Sequence, residues 1–207
     1  NGKDSMIRSH RHAKKGRALG LGVMGWHTFL QQKDLPFNSI ASTAWTHTIF
    51  SQIKLQAEAA SRKLALEYGE PLWCKGTGMR NTHLLAIAPT VSNSRINNCS
   101  AGIEPQPANV YVFNGAKGTF IRKNHVLESL LDSKGENKEK WWKQMLEQGG
   151  SVMGLPDSIL SNEEKEKLIK DAEENKIDDE RFIKINNYRT LLYDNLIQIS
   201  QMKETNA

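Results

Sequence analysis

The stretch "THLLAIAPTVSNS", residues 82–94, decides the fold. It opens on an apolar run, Leu84 to Ala88, with a glycine-rich loop before it and Pro89 after it. A short apolar run with such borders predicts a buried strand, covered on both faces as in a parallel sheet. Three hydroxyls and an amide follow at once: Thr90, Ser92, Asn93 and Ser94. A turn or short helix is expected near 92–97. A strand that ends in a tight loop and feeds a helix aims backbone N–H groups at one point, and the helix dipole adds positive partial charge there. Thr90, Ser92 and Ser94 can donate hydroxyl hydrogen bonds, and Asn93 can donate from its amide. In α/β folds such loops sit at the carboxyl ends of strands, where ligands bind. The segment therefore reads as a phosphate cradle. The residues alone also allow a plainer role, in which Ser and Thr only cap the helix. No P-loop lysine is present, so this is not a Walker site.

Upstream, "GEPLWCKGTGMRN" (69–81) is a glycine-rich loop. Before it, Phe50, Ile53, Ala57, Ala60, Leu64 and Tyr68 recur at steps of three and four, which predicts a helix over about 42–68 with that stripe in the core. Gly69 stands where such a helix ends. In "RALGLGVMGWHTFL" (17–30), Gly20, Gly22 and Gly25 fit a dinucleotide fingerprint in spacing only. No strand precedes them and no acidic residue follows at the right distance, so close packing of backbone is the better account. Downstream, "NVYVF" and "GTFIRK" predict a hairpin joined by Asn114 to Lys117. Helices are expected at 125–132 and 138–148. Ser161 and Glu164 form a capping box opening a helix of about 162–176, and a last amphipathic helix is expected at 186–201.

The 207 residues carry a formal net charge of +5 and a pI near 9.1. A polyanion partner has to be weighed against a merely basic surface. Two cysteines, Cys74 and Cys99, are too few for a disulfide framework and lack zinc spacing, so a reducing cytoplasm fits. No apolar run nears the roughly 20 residues a membrane span needs. The sequence does not begin with Met, which suggests a fragment or a processed chain. His27, His47, His83 and His125 are far apart and pair with no motif, and no metal site is expected. Glu104 could act as a base or fix a turn. Trp141 and Trp142 could stack on nucleic-acid bases, or be one core and one surface residue.

Four segments together carry a resemblance: "RALGLGVMGWHTFLQ" (17–31), "GEPLWCKGTGMRNTHLLAIAPTVSNS" (69–94), "GIEPQPANVYV" (102–112) and "GTFIRKN" (118–124). In identity and order they resemble the C-terminal half of the large subunit of class I ribonucleotide reductase, in its phage or bacterial form. The likeness is carried from about residue 12 to 165. None is apparent beyond about 175. The resemblance implies an α/β fold, the C-terminal part of a ten-stranded α/β barrel, followed by helical segments. It implies reduction of ribonucleoside diphosphates to deoxyribonucleotides by a cysteine thiyl radical. It also implies that Pro89, Thr90, Val91, Ser92, Asn93 and Ser94 grip the substrate diphosphate, with Val91 contributing only its backbone N–H. The family's finger-loop pattern, Asn-x-Cys-x-Glu, is absent, and neither cysteine matches the redox pair. Tyr188 and Tyr193 are not the adjacent relay pair. The expectation is a chain with substrate-binding and barrel-wall residues but no catalytic residue of its own. It would be partnered by the N-terminal part of the large subunit and by a radical-generating small subunit. It would bind no cofactor directly; the small subunit's metal-radical centre and nucleotide effectors would belong to the full enzyme. Membrane and nucleic acid are not expected partners. The expected division is 1–124 as barrel part with the phosphate loop, 125–180 as a helical segment, and 181–207 as a helical tail. The alternatives are a basic nucleic-acid-binding module and an inactive remnant of the reductase.

Overall fold

The computed structural model describes residues 6–115 and 118–168. Seven α-helices, one short 3-10 helix (Leu72–Cys74) and one hairpin make up the described residues, in the chain order α1 (Ile7–Gly16), α2 (Trp26–Gln32), α3 (Ile40–Tyr68), α4 (Val91–Ile96), β1 (Val110–Gly115), β2 (Gly118–Lys123), α5 (His125–Ser133), α6 (Glu139–Glu147) and α7 (Asn162–Lys167), with the 3-10 helix between α3 and α4. The described residues divide into two compact units. One holds residues 6–22 and 44–88, the other 23–43 and 89–168.

In the first unit, an extended segment around Leu21 lies parallel to one around Leu85. Leu21 N donates to the Leu84 carbonyl and Ala86 N to the Leu21 carbonyl, at 2.9 and 3.0 Å. Gly20 and Gly22 are explained here. A Cβ on Gly22 would lie 2.2 Å from the Ala86 carbonyl oxygen, and one on Gly20 would lie 3.1 Å from the Ala86 Cβ. The strand expected at 82–88 is reduced to this single bridge. Leu84, Leu85 and Ile87 are only half-buried, and His83, Ala86 and Ala88 are exposed. A parallel strand extends only where neighbours continue its ladder, and among the described residues the pair has no further strand beside it.

Helix α3 begins two residues earlier than its apolar pattern predicts. Ser39, just before it, accepts from the Ser42 amide through Oγ at 3.1 Å, as an N-cap does. The helix ends as predicted, with Gly69 at φ +75°. Its apolar stripe is buried only in part. Phe50 is core, but Ala60 is exposed and Tyr68 is 61% exposed, whereas Ser61 and Ala65 are buried. Polar pairing draws Ser61 inward: its Oγ donates to Asn81 Oδ1 and accepts from the Arg80 and Asn81 amides.

The second unit has the larger core. Val110, Leu127, Leu131, Trp142, Met145, Val152, Leu155, Ile159, Leu160 and Leu168 pack together. β1 and β2 pair antiparallel, with Val110 opposite Lys123 and Gly115 opposite Gly118. Asn114 and Gly115 therefore belong to the ladder rather than to the turn. Asn124 caps α5 by accepting from the Val126 amide. The Ser161–Glu164 capping box forms with both of its bonds. α5 and α6 fall within a residue of their predicted bounds. Beyond Leu168 the rest of the predicted 162–176 helix, the 186–201 helix and the 181–207 tail lie outside the described residues.

Candidate functional site

All six residues of the predicted cradle lie in the second unit, Pro89 and Thr90 just before α4 and the other four in its first turn. Thr90 takes left-handed backbone angles, φ 46° and ψ 29°. That is unusual for a β-branched side chain. It offers no cap to its own helix. Instead its Oγ1 accepts from the Gly102 amide at 2.8 Å, which leaves the hydroxyl hydrogen available to a ligand. The first amides of a helix have no partner within it. Here those of Val91, Ser92 and Asn93 donate to nothing among the described residues. The Ser92 and Asn93 side chains are exposed and also unpartnered among the described residues. Val91 turns its isopropyl group to solvent, so only its backbone faces this cluster chemically.

Ser94 departs from the group. It is 3% exposed, and its Oγ donates back to the Val91 carbonyl at 3.1 Å. Its amide donates to the Thr90 carbonyl and its carbonyl accepts from the Cys99 amide. It therefore braces the turn. Helix α4 has only six residues, so its dipole is a minor contribution. What the loop offers an anion is a set of unpaired N–H and O–H donors. Helix capping does not account for the hydroxyls: Thr90 makes no cap bond, and Ser94 bonds backward within the helix.

The other candidates sort by burial. His27 is fully buried, and its Nδ1 accepts from the Gln106 amide at 2.8 Å. Burial lowers its pKa to about 4, opposed in part by a hydrogen bond to the Lys167 backbone. His47 and His83 are exposed and His125 is half-buried. Cys74 is buried, and desolvation raises the thiol pKa of half-buried Cys99. Glu104 sits in a turn closed by its amide to the Ala101 carbonyl. Trp142 is core, with Nε1 donating to Asn137, whereas Trp141 bonds Glu136 and stacks with Lys140. The pair therefore offers no base-stacking platform. Among the described residues no three His, Cys, Asp or Glu side chains gather as a metal site, and no helix is long and apolar enough to cross a membrane.

Sequence spacing gives no signal for Gly102, whose amide reaches Thr90 across the 97–101 turn. Nor does it single out Arg95 and Arg122 beside the loop. The Arg122 guanidinium donates to the Arg95 carbonyl at 2.6 Å, and that of Arg95 lies 4.5 Å from the Phe113 ring centre.

Residues 3–73 and 72–197 match the family described as ribonucleotide reductase, barrel domain. The chain belongs to that family. The match extends past residue 175, where the quoted segments show no further likeness. The ribonucleoside-diphosphate reductase large subunit of Invertebrate iridescent virus 6 is 36% identical over 165 residues, covering 78% of this chain and 17% of that protein. That of Invertebrate iridescent virus 3 is 33% identical, covering 73% and 25%. The vitamin B12-dependent ribonucleoside-diphosphate reductase of Thermoplasma acidophilum is 31% identical, covering 76% and 21%. The class Id ribonucleotide reductase alpha subunit of Actinobacillus ureae superposes with a TM-score of 0.70 at 39% identity, over 80% of this chain and 30% of that one. The fold is accordingly part of the family's α/β barrel. The chain spans about a quarter or less of the length of these curated relatives.

Proposed function

We propose that this chain supplies the diphosphate-binding loop of a ribonucleoside-diphosphate reductase large subunit working in the cytoplasm. Pro89 sets the entry to the loop. The amides of Val91, Ser92 and Asn93, the hydroxyls of Thr90 and Ser92 and the Asn93 side chain bind phosphate oxygens, while Ser94 holds the turn closed. The carrying observation is the run of unpartnered donors at 91–93 beside a Thr90 whose hydroxyl oxygen is already fixed by Gly102. Donors that need not break other bonds cost little to engage, and bonds to a charged group are among the stronger ones.

In this reading the chain binds and orients the ribonucleoside diphosphate. Sugar reduction falls to groups outside these residues: the N-terminal part of the large subunit and the metal-radical centre of a small subunit. In this reading the radical source belongs to the rest of the assembly, and relatives differ in it, some being named as vitamin B12-dependent.

The test is reductase activity of the assembled enzyme. Thr90→Ala combined with Ser92→Ala removes two hydroxyl donors to a charged group, which should lower kcat/KM by roughly a hundredfold or more, mostly through KM. Unchanged kinetics in that double variant would remove the loop from the substrate site.

A further inference from the structure

We propose that Thr28 is a positioning residue for the 89–94 loop, acting through Ser100 and Gly102 on Thr90. The inference rests on the diphosphate reading of that loop and adds the device that holds it.

Helix α2 follows Gly25, which has no side chain with which to cap it. The cap comes from a distant residue. Ser100 Oγ accepts from the Thr28 amide at 3.2 Å, and Thr28 Oγ1 accepts from the Ser100 amide at 2.8 Å. Thr28 is the third residue of the helix, so this exchange has the bond pattern of a capping box. An ordinary box closes within four residues of chain, whereas this one joins positions 72 apart in sequence. Thr28 is 4% exposed and Ser100 fully buried, so each bond satisfies a donor that water cannot reach. Two backbone bonds extend the seam: Gly25 N to the Ser100 carbonyl at 2.8 Å and Trp26 N to the Gly102 carbonyl at 3.4 Å. The Gln106 side chain adds a donor to Thr28 Oγ1 at 3.4 Å.

Gly102 is thereby fixed, and its amide reaches Thr90 Oγ1 at 2.8 Å. No other side-chain bond restrains Thr90 among the described residues, and its backbone sits in a costly region for a β-branched residue. The bond from Gly102 also sets the direction of the hydroxyl. With the oxygen accepting on one side, the hydrogen is left to donate on the other. The geometry at Thr28 thus reaches the phosphate donors through three residues, without Thr28 touching a ligand.

The experiment titrates the chain with inorganic pyrophosphate, following the amides of Val91, Ser92 and Asn93 by NMR, alongside hydrogen exchange at Ser100 and Gly102. Thr28→Val keeps the shape and removes the acceptor. It should weaken pyrophosphate binding roughly 5- to 100-fold and speed exchange at Ser100 and Gly102. Thr28→Ser should restore both. Because Thr28 acts through Thr90, Thr28→Val with Thr90→Ala should bind no more weakly than Thr90→Ala alone, whereas a merely structural role would give additive losses. Wild-type binding and exchange in Thr28→Val, or additivity in the double variant, would overturn the proposal. If Thr90→Ala leaves pyrophosphate binding unchanged, the diphosphate reading fails instead, and exchange at Gly102 in Thr28→Val still decides whether the seam governs the loop. Should Thr28→Val not fold, Ser100→Ala probes the same reciprocal pair from its other side, with the same outcomes.

Discussion

Lowering the pH should unfold this protein through His27 before most of its carboxylates lose their charge. The ring is fully buried, and its Nδ1 is occupied as an acceptor by the Gln106 amide. The neutral ring therefore carries its proton on Nε2, which makes no hydrogen bond of good geometry and is favoured only by the nearby Lys167 backbone. A second proton must go to Nδ1, where it would face the Gln106 N–H, donor against donor, in a place without water. Burial accordingly lowers the pKa from 6.5 to about 4. The sign follows from linkage. The unfolded chain takes up the proton near pH 6.5 and the folded one only near 4, so stability is complete above about 6.5 and falls as pH drops toward 4. Each pH unit in that window costs about 1.4 kcal/mol, so the whole amounts to about 3 kcal/mol. Urea unfolding at closely spaced pH values measures it, with His27→Gln as the reference that removes the titrating ring. The excess acid sensitivity of the native protein over that variant should account for the loss. If the His27 ring protons titrate near 6.5 by NMR in the folded state, or if the two proteins lose stability in parallel, the burial argument is wrong.

The loop and seam variants described above supply two further expectations, in kcat/KM and in pyrophosphate affinity. Gly22→Ala should disrupt the parallel pairing around Leu21 and Leu85, because its Cβ would lie 2.2 Å from the Ala86 carbonyl oxygen. Faster hydrogen exchange at Leu21 and Ala86 would report it, and unchanged protection would refute it. Ser161→Ala removes half of a capping box whose two bonds are both made, and should cost about 1 kcal/mol in denaturant unfolding. No measurable change would mean that α7 is held by its packing alone.

Local signals survived folding where local chemistry decides the outcome. α5, α6, the Gly69 stop and the Ser161 box each depend on residues a few positions apart, and each forms where its pattern stands; the hairpin forms too, with Asn114 and Gly115 taken into its ladder. The α3 stripe is less faithful, since Ser61 is drawn inward by Asn81 while Tyr68 stays exposed. Apolar periodicity does not register such a polar partner 20 residues away. The run at 82–88 reads as a buried strand from its composition alone, yet it makes a single bridge and stays half-buried, because an apolar run does not specify what pairs with it. At the candidate site, the donor types at 90–94 were visible in order, but their division of labour was not. That Ser94 turns inward depends on the angles of the turn, and that Thr90 is held by Gly102 depends on a chain reversal between them. Nothing in the order of residues links Thr28 to Ser100.

The left-handed backbone at Thr90 narrows what evolution can place there. Glycine would relax the angles but forfeit the alcohol. Valine would keep the bulk, bear the same conformational penalty and present nothing to Gly102. Serine keeps the alcohol with a smaller side chain, so drift at this position should be confined to a two-letter alphabet for as long as the loop is under selection.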